Sequence, residues 1–400
     1  MKNSLLKLVV LSVGAAAAFH PAAAQVPDRI RIGMLATMSG AGAANEYGTM
    51  RGVQLAVQEL NKAGGIAGRP IELIAADVQA DPTMSVNEAR RLIDRDHVHV
   101  IIGPFNSQFT MAVAPVLTQA RTASISISGS TELTAKFAPY HFSILPPADA
   151  QARVMVDYAI SSYRAKSVAM IADSGAQAKV AMQAAKAEAE ARGIKWLGSQ
   201  ENRFHDTDVT PQMLDLKRMN PDVLLMWPNS GEDHGLIMRT RDELGWKVPV
   251  VNGGATALNV LPAKRVYDKA FDGVPSTMLK SWTYCEGDPV GAGDMAKFKE
   301  RLRGLAGDDE YKRLPANYTA WTYDAVYLFK AAIEATRSVD GPTLVAWIEQ
   351  NADKVRAVSG QLRATKDNHF LLGDPKAITM VVDTDKPRVD GYYKRIAGCS

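Results

Sequence analysis

Residues 98–110, "VHVIIGPFNSQFT", join a short apolar run to a cluster of small polar side chains. The run "VHVII" is predicted to form a buried strand, which Gly103 and Pro104 end. An apolar pattern resumes at Met111, so a helix is expected to begin about Ser107. A strand that leads through a short loop into a helix is typical of a parallel sheet covered by helices.

The same alternation of strand and helix extends along the chain on both sides of this stretch. Predicted strands lie at 29–37, "RIRIGMLAT", and at 70–78, "PIELIAADV", and each precedes apolar residues at helical spacing. A second series begins near residue 149, after "LPPADA", while the amphipathic segment at 318–338 belongs to neither series by position. Two α/β lobes account for this order: each is a doubly wound parallel sheet, and an interleaved chain joins them at a hinge.

The N-terminus has the composition of a secretory signal peptide. Residues 1–24 carry Lys2 and Lys7, then an apolar run, then three alanines ending at Ala24, after which cleavage is expected. The alternative is an N-terminal membrane anchor, for which the apolar run is short. Without this segment the formal charge falls from +3 to +1, which argues against a nucleic-acid partner. A soluble periplasmic protein is therefore expected.

The two cysteines, Cys285 and Cys399, lie far apart in the sequence. In an oxidising compartment they could form one disulfide, and two independent buried thiols are the alternative. The chain has no CxxC motif, and its seven histidines are scattered apart from His97 and His99. Neither a metal nor another cofactor is expected.

Small hydroxyl residues follow two successive predicted strands. The N-terminus of the helix at Ser107 leaves backbone N–H groups unpaired and carries partial positive charge, so a carboxylate is a natural occupant. Ser107 is expected to cap this helix and to donate its hydroxyl to the anion; ordinary capping alone is the alternative. The next strand ends in "SISISGSTELT" at 124–134, which places Ser126, Ser128 and Ser130 around Gly129 before a short helical signal at 131–134. Together the two strand ends predict one pocket with converging donors.

The order of these segments resembles the type I periplasmic solute-binding proteins, and within them the leucine–isoleucine–valine-binding branch of ABC-transporter receptors. The similarity runs from about Ile30 to Tyr393 and includes "YDAVYLFKAAIEA" at 323–335 and "SGQLRATKDNHF" at 359–370. The resemblance implies a monomer that closes on a small-molecule ligand at its hinge and is then recognised by permease subunits in the inner membrane. The lobes are expected at 27–147 with 278–356 and at 148–277 with 357–400.

The resemblance also implies roles for particular residues. A ligand carboxylate would be held by Ser107, by the backbone of Ser128 and by the hydroxyl of Ser130. Tyr47, before Gly48, would cover the apolar part of the ligand. The remaining expected contacts come from the first-lobe loop and from the second lobe, where a glutamine stands in the place of a common tyrosine: Phe105, Asn106, Gln177, Trp227, Ser230 and Asn252.

One departure from the family pattern bears on the ligand. Amino-acid binders of this branch usually carry an acid where this chain has Asn252, Gly253 and Gly254. An ammonium group buried without a counter-charge is costly, so an aromatic or other apolar acid without an α-amino group is expected. Tyr47, Phe105 and Trp227 would wall its pocket, or they are core residues instead. Another acid, such as Asp173 or Asp206, could also supply the charge, which leaves a branched-chain amino acid open.

Catalysis is not expected. The chain lacks the GxSxG, HExxH, P-loop and GxGxxG motifs. His205 and His234 lie near acidic residues and could imitate a catalytic dyad, but both are expected to be solvated loop or helix residues. A ligand sensor that uses the same two-lobed clamp is a further alternative to transport.

Overall fold

The structure is a computed structural model that describes residues 26–40, 43–203, 206–254, 257, 259–291 and 293–399. The predicted signal peptide at 1–24 and His205 lie outside these ranges. Within them, no helix has both the length and the apolar character needed to cross a bilayer.

The first lobe is built on a five-stranded parallel sheet with the order β2-β1-β3-β4-β5. Its strands are β1 (Ile30–Ala36), β2 (Ile71–Asp77), β3 (Val100–Ile102), β4 (Ala123–Ser126) and β5 (His141–Ser143). Three helices alternate with them: α1 (Ala43–Lys62), α2 (Pro82–Arg90), continued by a π-helical turn at Arg91–Arg95, and α3 (Ser107–Ala120). The predicted alternation of strand and helix is confirmed in this half of the chain.

The second lobe is built on a six-stranded sheet. Its helices are α4 (Ala148–Tyr163), α5 (Ala176–Ala191), α6 (Thr210–Met219), α7 (Gly231–Glu243) and α8 (Val260–Val266). Its strands are β6 (Ser167–Asp173), β7 (Lys195–Asn202), β8 (Val223–Trp227), β9 (Val250–Asn252), β10 (Ser276–Leu279) and β12 (Ile378–Val381). In the order β12-β10-β9-β8-β6-β7 only β12 runs antiparallel to its neighbour, so the sheet is parallel except at one edge.

The remaining elements complete the first lobe and the hinge. They are α9 (Asp294–Ala306), α10 (Asp308–Tyr311), α11 (Ala316–Thr336) and α12 (Gly341–Asn351), with short 3-10 helices at Lys280–Trp282, Ala352–Lys354 and Pro375–Ala377. The two-residue strands β11 (Thr283–Tyr284) and β13 (Tyr393–Lys394) pair in parallel. Cys285 and Cys399 beside them form a disulfide with Cα atoms 5.6 Å apart, which is the first of the two alternatives left open by the sequence.

Close packing against α1 brings α11 into the first lobe. A β-carbon on Gly52 of α1 would lie only 2.1 Å from the carbonyl oxygen of Thr319 in α11, so the two helix backbones approach at this point. Only glycine permits such an approach. Tyr323, Phe329 and Ile333 of α11 then join the apolar core of the first lobe. This contact assigns the segment that sequence position left between the two series.

The lobes differ from the predicted division at two places. Strand β10 continues to Leu279, paired with Ile378 of β12, so the predicted boundary at 277–278 falls inside a strand. Residues 369–371 lie along the edge of β5, where Leu371 N donates to Ser143 O at 2.8 Å and Ser143 N donates to His369 O at 3.0 Å. An uncovered edge would leave these backbone groups unpaired, which is why this segment joins the first lobe.

Two local features also differ from the sequence predictions. Asn106, not Ser107, caps α3, because its side-chain oxygen accepts from Gln108 N at 2.9 Å. Ser107 is the first residue of the helix itself. Residues 131–134 form turns and no helix. The predicted start of α3 at Ser107 is confirmed.

Candidate functional site

The two lobes meet at the carboxyl ends of their parallel strands, where loops lead into helix N-termini. In such sheets this edge is the usual place for a ligand. Gly129, in the loop after β4, touches Gln177 at the start of α5: a β-carbon on Gly129 would lie 2.2 Å from Gln177 Nε2. The lobes are therefore in contact across the cleft.

Ser107 joins the two first-lobe loops at this edge. Its buried hydroxyl oxygen accepts from Gly129 N at 3.0 Å and from Ser130 N at 3.2 Å. A serine hydroxyl also has one hydrogen to donate, which these two bonds leave available. Because the N-terminus of α3 adds partial positive charge, this corner favours an acceptor of negative charge.

The other serines of "SISISGS" do not all face the cleft. The side chain of Ser128 lies inside the lobe, with its Oγ 2.7 Å from both Thr110 Oγ1 and Ser126 Oγ. Ser130 is buried beside Ser107, and its Oγ accepts from Glu132 N at 3.4 Å. Alternate residues of an extended chain share a face, which carries the side chains of Ser126 and Ser128 into the interior. The predicted convergence of hydroxyls on one pocket is therefore wrong for the side chains of Ser126 and Ser128. The role of the Ser128 backbone stays a prediction.

Tyr47 lies at the surface. Its side chain is 44% exposed, its hydroxyl donates to Glu310 Oε1 at 2.6 Å, and the guanidinium of Arg51 lies 5.9 Å from the centre of its ring. To cover a ligand this side chain would have to leave both partners. Phe105 is buried in the apolar core of the first lobe, so the alternative that it is a core residue describes its position.

Trp227 and Gln177 bring unpaired donors to the second-lobe side of the cleft. The indole of Trp227, at the end of β8, lies over two glycines: a β-carbon on Gly253 would be 2.5 Å from the ring, and one on Gly254 would be 3.1 Å from Nε1. Within the described residues, neither Trp227 Nε1 nor Gln177 Nε2 has a hydrogen-bond partner, although both are buried. Buried donors usually have a partner, so both groups can donate to an acceptor placed beside them. Trp227 also belongs to the apolar core of the second lobe, as the alternative for this residue held.

Ser230 and Asn252 have partners within the second lobe. Ser230 caps α7, since its Oγ accepts from Asp233 N at 3.0 Å. Asn252 is fully buried, and its Nδ2 donates to Ser276 Oγ at 3.1 Å. Both side chains hold the loops that border the cleft, and their contact with a ligand stays a prediction.

The two acids that the sequence offered as counter-charges are engaged locally. Asp173 accepts from Gly175 N at 2.8 Å and from the backbone and side-chain nitrogens of Asn229 at 2.5 and 3.0 Å. Burial is the largest influence on this carboxyl and raises its pKa to about 6. Asp206 accepts from Arg203 N and Thr207 N within its own turn. Both acids therefore stabilise loops.

Glu46 is an acid at the cleft that the sequence did not single out. Its Oε2 accepts from Thr37 N at 2.6 Å, and Thr37 directly follows β1. Since β1 and β3 are neighbours in the sheet, about 4.8 Å apart, Glu46 and Ser107 border the same edge. Burial raises the pKa of Glu46 to about 7. Glu46 also influences Tyr318 of α11. Burial is the main cause of the raised pKa of Tyr318, and the charge of Glu46 raises it further. The hydroxyl of Tyr318 lies 3.4 Å from Asn259 Nδ2 of the opposite lobe. As an acid in the first turn of a helix, Glu46 looks ordinary in the sequence.

A family profile described as periplasmic binding protein matches residues 29–385, which is most of the chain. The chain belongs to this family. The family resemblance and the two-lobed α/β fold expected from the sequence are thereby confirmed.

Relatives and solved structures of this periplasmic binding protein cover most of its length. It is 26% identical to the Leu/Ile/Val-binding protein BraC3 of Rhizobium johnstonii over 89% of this chain and 92% of that protein. A type 1 periplasmic binding protein from Bordetella pertussis superposes with a TM-score of 0.79 at 24% identity, over 92% of this chain and all of that one. A solute-binding protein of an ABC transporter from R. palustris, in complex with 4-hydroxybenzoate, gives 0.75 at 20% identity, over 92% and 96%.

Proteins of this family bind solutes, and the chain is a binding protein and not an enzyme. Of the two histidines that could imitate a catalytic dyad, the structure describes His234. His234 is fully buried in α7, donates from Nε2 to Ala270 O at 2.8 Å and stacks on Phe271 at 4.3 Å. The prediction that His234 is solvated is wrong, because the imidazole is buried inside the second lobe. This burial lowers its pKa to about 4. Across the part of the chain that the structure describes, no three His, Cys, Asp or Glu residues are grouped to hold a metal ion.

Proposed function

We propose that this periplasmic binding protein is the solute-binding component of an ABC importer and captures a small carboxylate between its lobes. The observation that carries the proposal is the Ser107 corner, where the N-terminus of α3 meets a hydroxyl that accepts twice and still has one hydrogen to donate. Permease subunits in the inner membrane would recognise the closed form. Residues 1–24 would act as a cleaved export signal, and the mature protein would be a monomer.

Capture would begin on the first lobe and end with closure. The carboxylate binds at the Ser107 corner while the lobes are apart. Closure then brings Gln177 and Trp227, with their unpaired donors, against the ligand. These added contacts stabilise the closed form by the amount that they favour it over the open form. The ligand therefore acts as the link between the two sheets.

The ligand that fits best is an aromatic or other apolar acid without an α-amino group. At the place where the family usually has an acid, Gly253 and Gly254 lie under the indole of Trp227, which leaves no space for a side chain. Asn252, beside them, is bound to Ser276. An ammonium group at this place would be buried without a counter-charge. The R. palustris protein shows that this fold accommodates 4-hydroxybenzoate.

A branched-chain amino acid is the second candidate, and Glu46 favours it. Its carboxyl borders the same sheet edge as Ser107 and could pair with an ammonium group from the side opposite Gly253. The R. johnstonii relative is named for binding leucine, isoleucine and valine. The two ligand classes therefore differ in whether they need the charge of Glu46.

A thermal-shift screen of residues 25–400 separates the two candidates. The panel contains aromatic carboxylates, aliphatic acids, leucine, valine and uncharged amides. A ligand at about a hundred times its dissociation constant adds roughly 2.7 kcal/mol, which raises the melting temperature measurably. Shifts with aromatic acids and none with leucine support the acid without an amine. A shift with uncharged amides alone would contradict carboxylate binding.

Two variants test whether the charge of Glu46 is needed for binding. Glu46→Gln should abolish a shift by leucine and leave a shift by an aromatic acid in place. Glu243→Gln, at an exposed position at the end of α7, is the matched control and should change neither. Uptake of the labelled ligand distinguishes transport from sensing. Cells that lack the protein should lose uptake if the protein serves transport, and should keep it if the protein is a sensor.

A further inference from the structure

A continuous series of buried polar side chains, each hydrogen-bonded to the next, runs through the first lobe behind the Ser107 corner and is called the file. It begins at His141, whose Nδ1 lies 3.0 Å from Ser124 Oγ and whose Nε2 lies 3.2 Å from Ser126 Oγ. It continues from Ser126 Oγ to Ser128 Oγ at 2.7 Å and from there to Thr110 Oγ1 at 2.7 Å. All five side chains are buried. The file therefore crosses from β5 through β4 to α3 without contact with solvent.

The far end of the file lies on the loop that presents Ser107. Thr110 Oγ1 is 3.0 Å from the carbonyl oxygens of both Pro104 and Asn106. Carbonyls only accept, so a bond from Thr110 to this loop uses the single hydrogen of its hydroxyl. The carbonyl of Asn106 also accepts from Thr110 N. The carbonyl of Pro104 accepts from the hydroxyl of Thr110.

Only one direction of donation gives each link from His141 to Thr110 a hydrogen and also leaves the hydrogen of Thr110 for the loop. Since the hydrogen of Thr110 is used on the loop, Ser128 must donate to Thr110. Ser126 must then donate towards Ser128, or to Thr110 at 3.3 Å. With the hydrogen of Ser126 used, His141 must carry a hydrogen on Nε2 and donate it to Ser126. Nδ1 is then the acceptor, and Ser124 donates to it.

Neutral imidazole with the hydrogen on Nε2 is thus the form of His141 that the neighbouring hydroxyls require. Burial is the main influence that keeps it uncharged, and it lowers the pKa of His141 to about 3. The other titratable groups in this region lie behind the strand: His369 Nδ1 donates to the carbonyl of His141 at 2.9 Å, and its Nε2 is 3.0 Å from Glu349 Oε1. The imidazole of His141 itself faces only hydroxyl groups among these contacts.

The reverse direction would remove the side-chain bond that Thr110 makes to the loop. If Nδ1 carried the hydrogen, Ser126 would donate to Nε2, Ser128 to Ser126, and Thr110 to Ser128. The carbonyl of Pro104 would then lose the hydroxyl of Thr110, and proline has no N–H with which to hold the loop in another way. The tautomer of His141 therefore selects whether Thr110 of α3 donates its hydroxyl to the carbonyl of Pro104. The bond from Thr110 N to Asn106 O is present with either tautomer.

We propose that His141 is a positioning residue for ligand capture: through Ser126, Ser128 and Thr110 it holds residues 104–107 where Ser107 meets the ligand carboxylate. This role rests on the proposed function. The imidazole touches no ligand. Its effect is carried by the direction of three hydroxyl hydrogens.

The first test needs no ligand. A nitrogen NMR spectrum of the mature protein, labelled at histidine, should show His141 as the Nε2-protonated tautomer across the pH range in which the protein is folded. The Nδ1-protonated form, or a mixture of the two, would overturn the proposal. Failure here is distinct from failure of the proposed function, which the screen of carboxylates tests separately.

The second test measures affinity for the carboxylate that gives the largest thermal shift. His141→Leu removes the donor to Ser126 and should weaken binding on the order of tenfold, the effect of about one hydrogen bond. His141→Gln keeps a side-chain N–H there and should recover most of the affinity. Thr110→Val should weaken binding by a similar factor, and adding it to His141→Leu should cost little more, because both cut the same file.

Ser124→Ala is the matched control. It removes a buried hydroxyl that touches the same imidazole on the side away from the loop. A merely structural role of the histidine would lower the melting temperature in all these variants and would not distinguish them in affinity. Equal affinity losses in Ser124→Ala and His141→Leu, or independent losses from Thr110→Val and His141→Leu, would contradict the positioning role.

Discussion

Replacing Gly129 by alanine should weaken ligand binding by opposing lobe closure. In the structure a β-carbon at this position would lie 2.2, 2.7 and 3.0 Å from Nε2, Cδ and Cγ of Gln177 on the opposite lobe. Gly129 does not have a positive φ angle, so alanine fits the backbone of the first lobe. The substitution therefore adds a clash to the closed form and leaves the open form nearly unchanged.

The size of the effect follows from the overlap. Ordinary contacts begin near 3.4 Å, so the lobes or the Gln177 side chain must shift by about 1 Å. Overpacking of this kind costs about 1–3 kcal/mol. Because the cost falls on the closed form, which holds the ligand, the dissociation constant should rise roughly 5- to 150-fold.

Isothermal titration calorimetry with the best carboxylate measures this change. All three clashing atoms belong to the side chain of Gln177, so Gln177→Ala added to Gly129→Ala should remove the obstruction and return affinity to that of Gln177→Ala alone. Gly304→Ala, at a helix position with no atom within 4 Å, is the matched control and should bind like the wild type. Wild-type affinity in Gly129→Ala, or a double variant as weak as Gly129→Ala alone, would refute closure at this contact.

Three further predictions concern stability. The pKa of Glu46 is raised from 4.5 to about 7, so the folded protein binds more protons than the unfolded chain between these values and loses stability as pH rises through them. Denaturant titrations should show Glu46→Gln gaining about 3 kcal/mol on the wild type between pH 4.5 and 8, and a constant difference would contradict this. Cys285→Ser opens a link between residues 114 apart and should cost about 4 kcal/mol, a loss that reductant should reproduce in the wild type but not in the variant. Gly52→Ala places a β-carbon 2.1 Å from Thr319 O and should lower the melting temperature, at a cost of about 2 kcal/mol, whereas an unchanged melting temperature would mean that α1 and α11 separate freely.

The loops of the candidate site were predictable where local sequence determines them. The start of α3 at Ser107 follows from a strand, a Gly-Pro turn and a resumed apolar pattern, all within a few residues. The direction of each serine in "SISISGS" was less accessible. Whether Ser126 faces the cleft or the interior depends on which neighbours supply its hydrogen-bond partners, and His141 and Thr110 are 15 and 16 residues away.

Glu46 shows the same limit for charge. In the sequence it is one acid among 43 acidic residues, at the beginning of an amphipathic helix. Its importance comes from burial beside Thr37 and near Tyr318, which bring together the end of β1 and the distant helix α11. The pKa of a carboxyl depends on its solvation and on nearby charges, and neither is a property of the residues next to it in the chain.

By itself the sequence determined the alternating strands and helices, the two-lobed α/β class and the start of α3 at Ser107, because periodicity and turn residues are properties of short stretches of chain. Only the tertiary structure decided that α11 packs on α1 at Gly52, that Trp227 lies over Gly253 and Gly254, and that Gln177 meets Gly129 across the cleft. These contacts join residues about fifty or more positions apart, or, for Trp227, the ends of two neighbouring strands. Their energies depend on close packing and shared burial, which exist only once both lobes have formed.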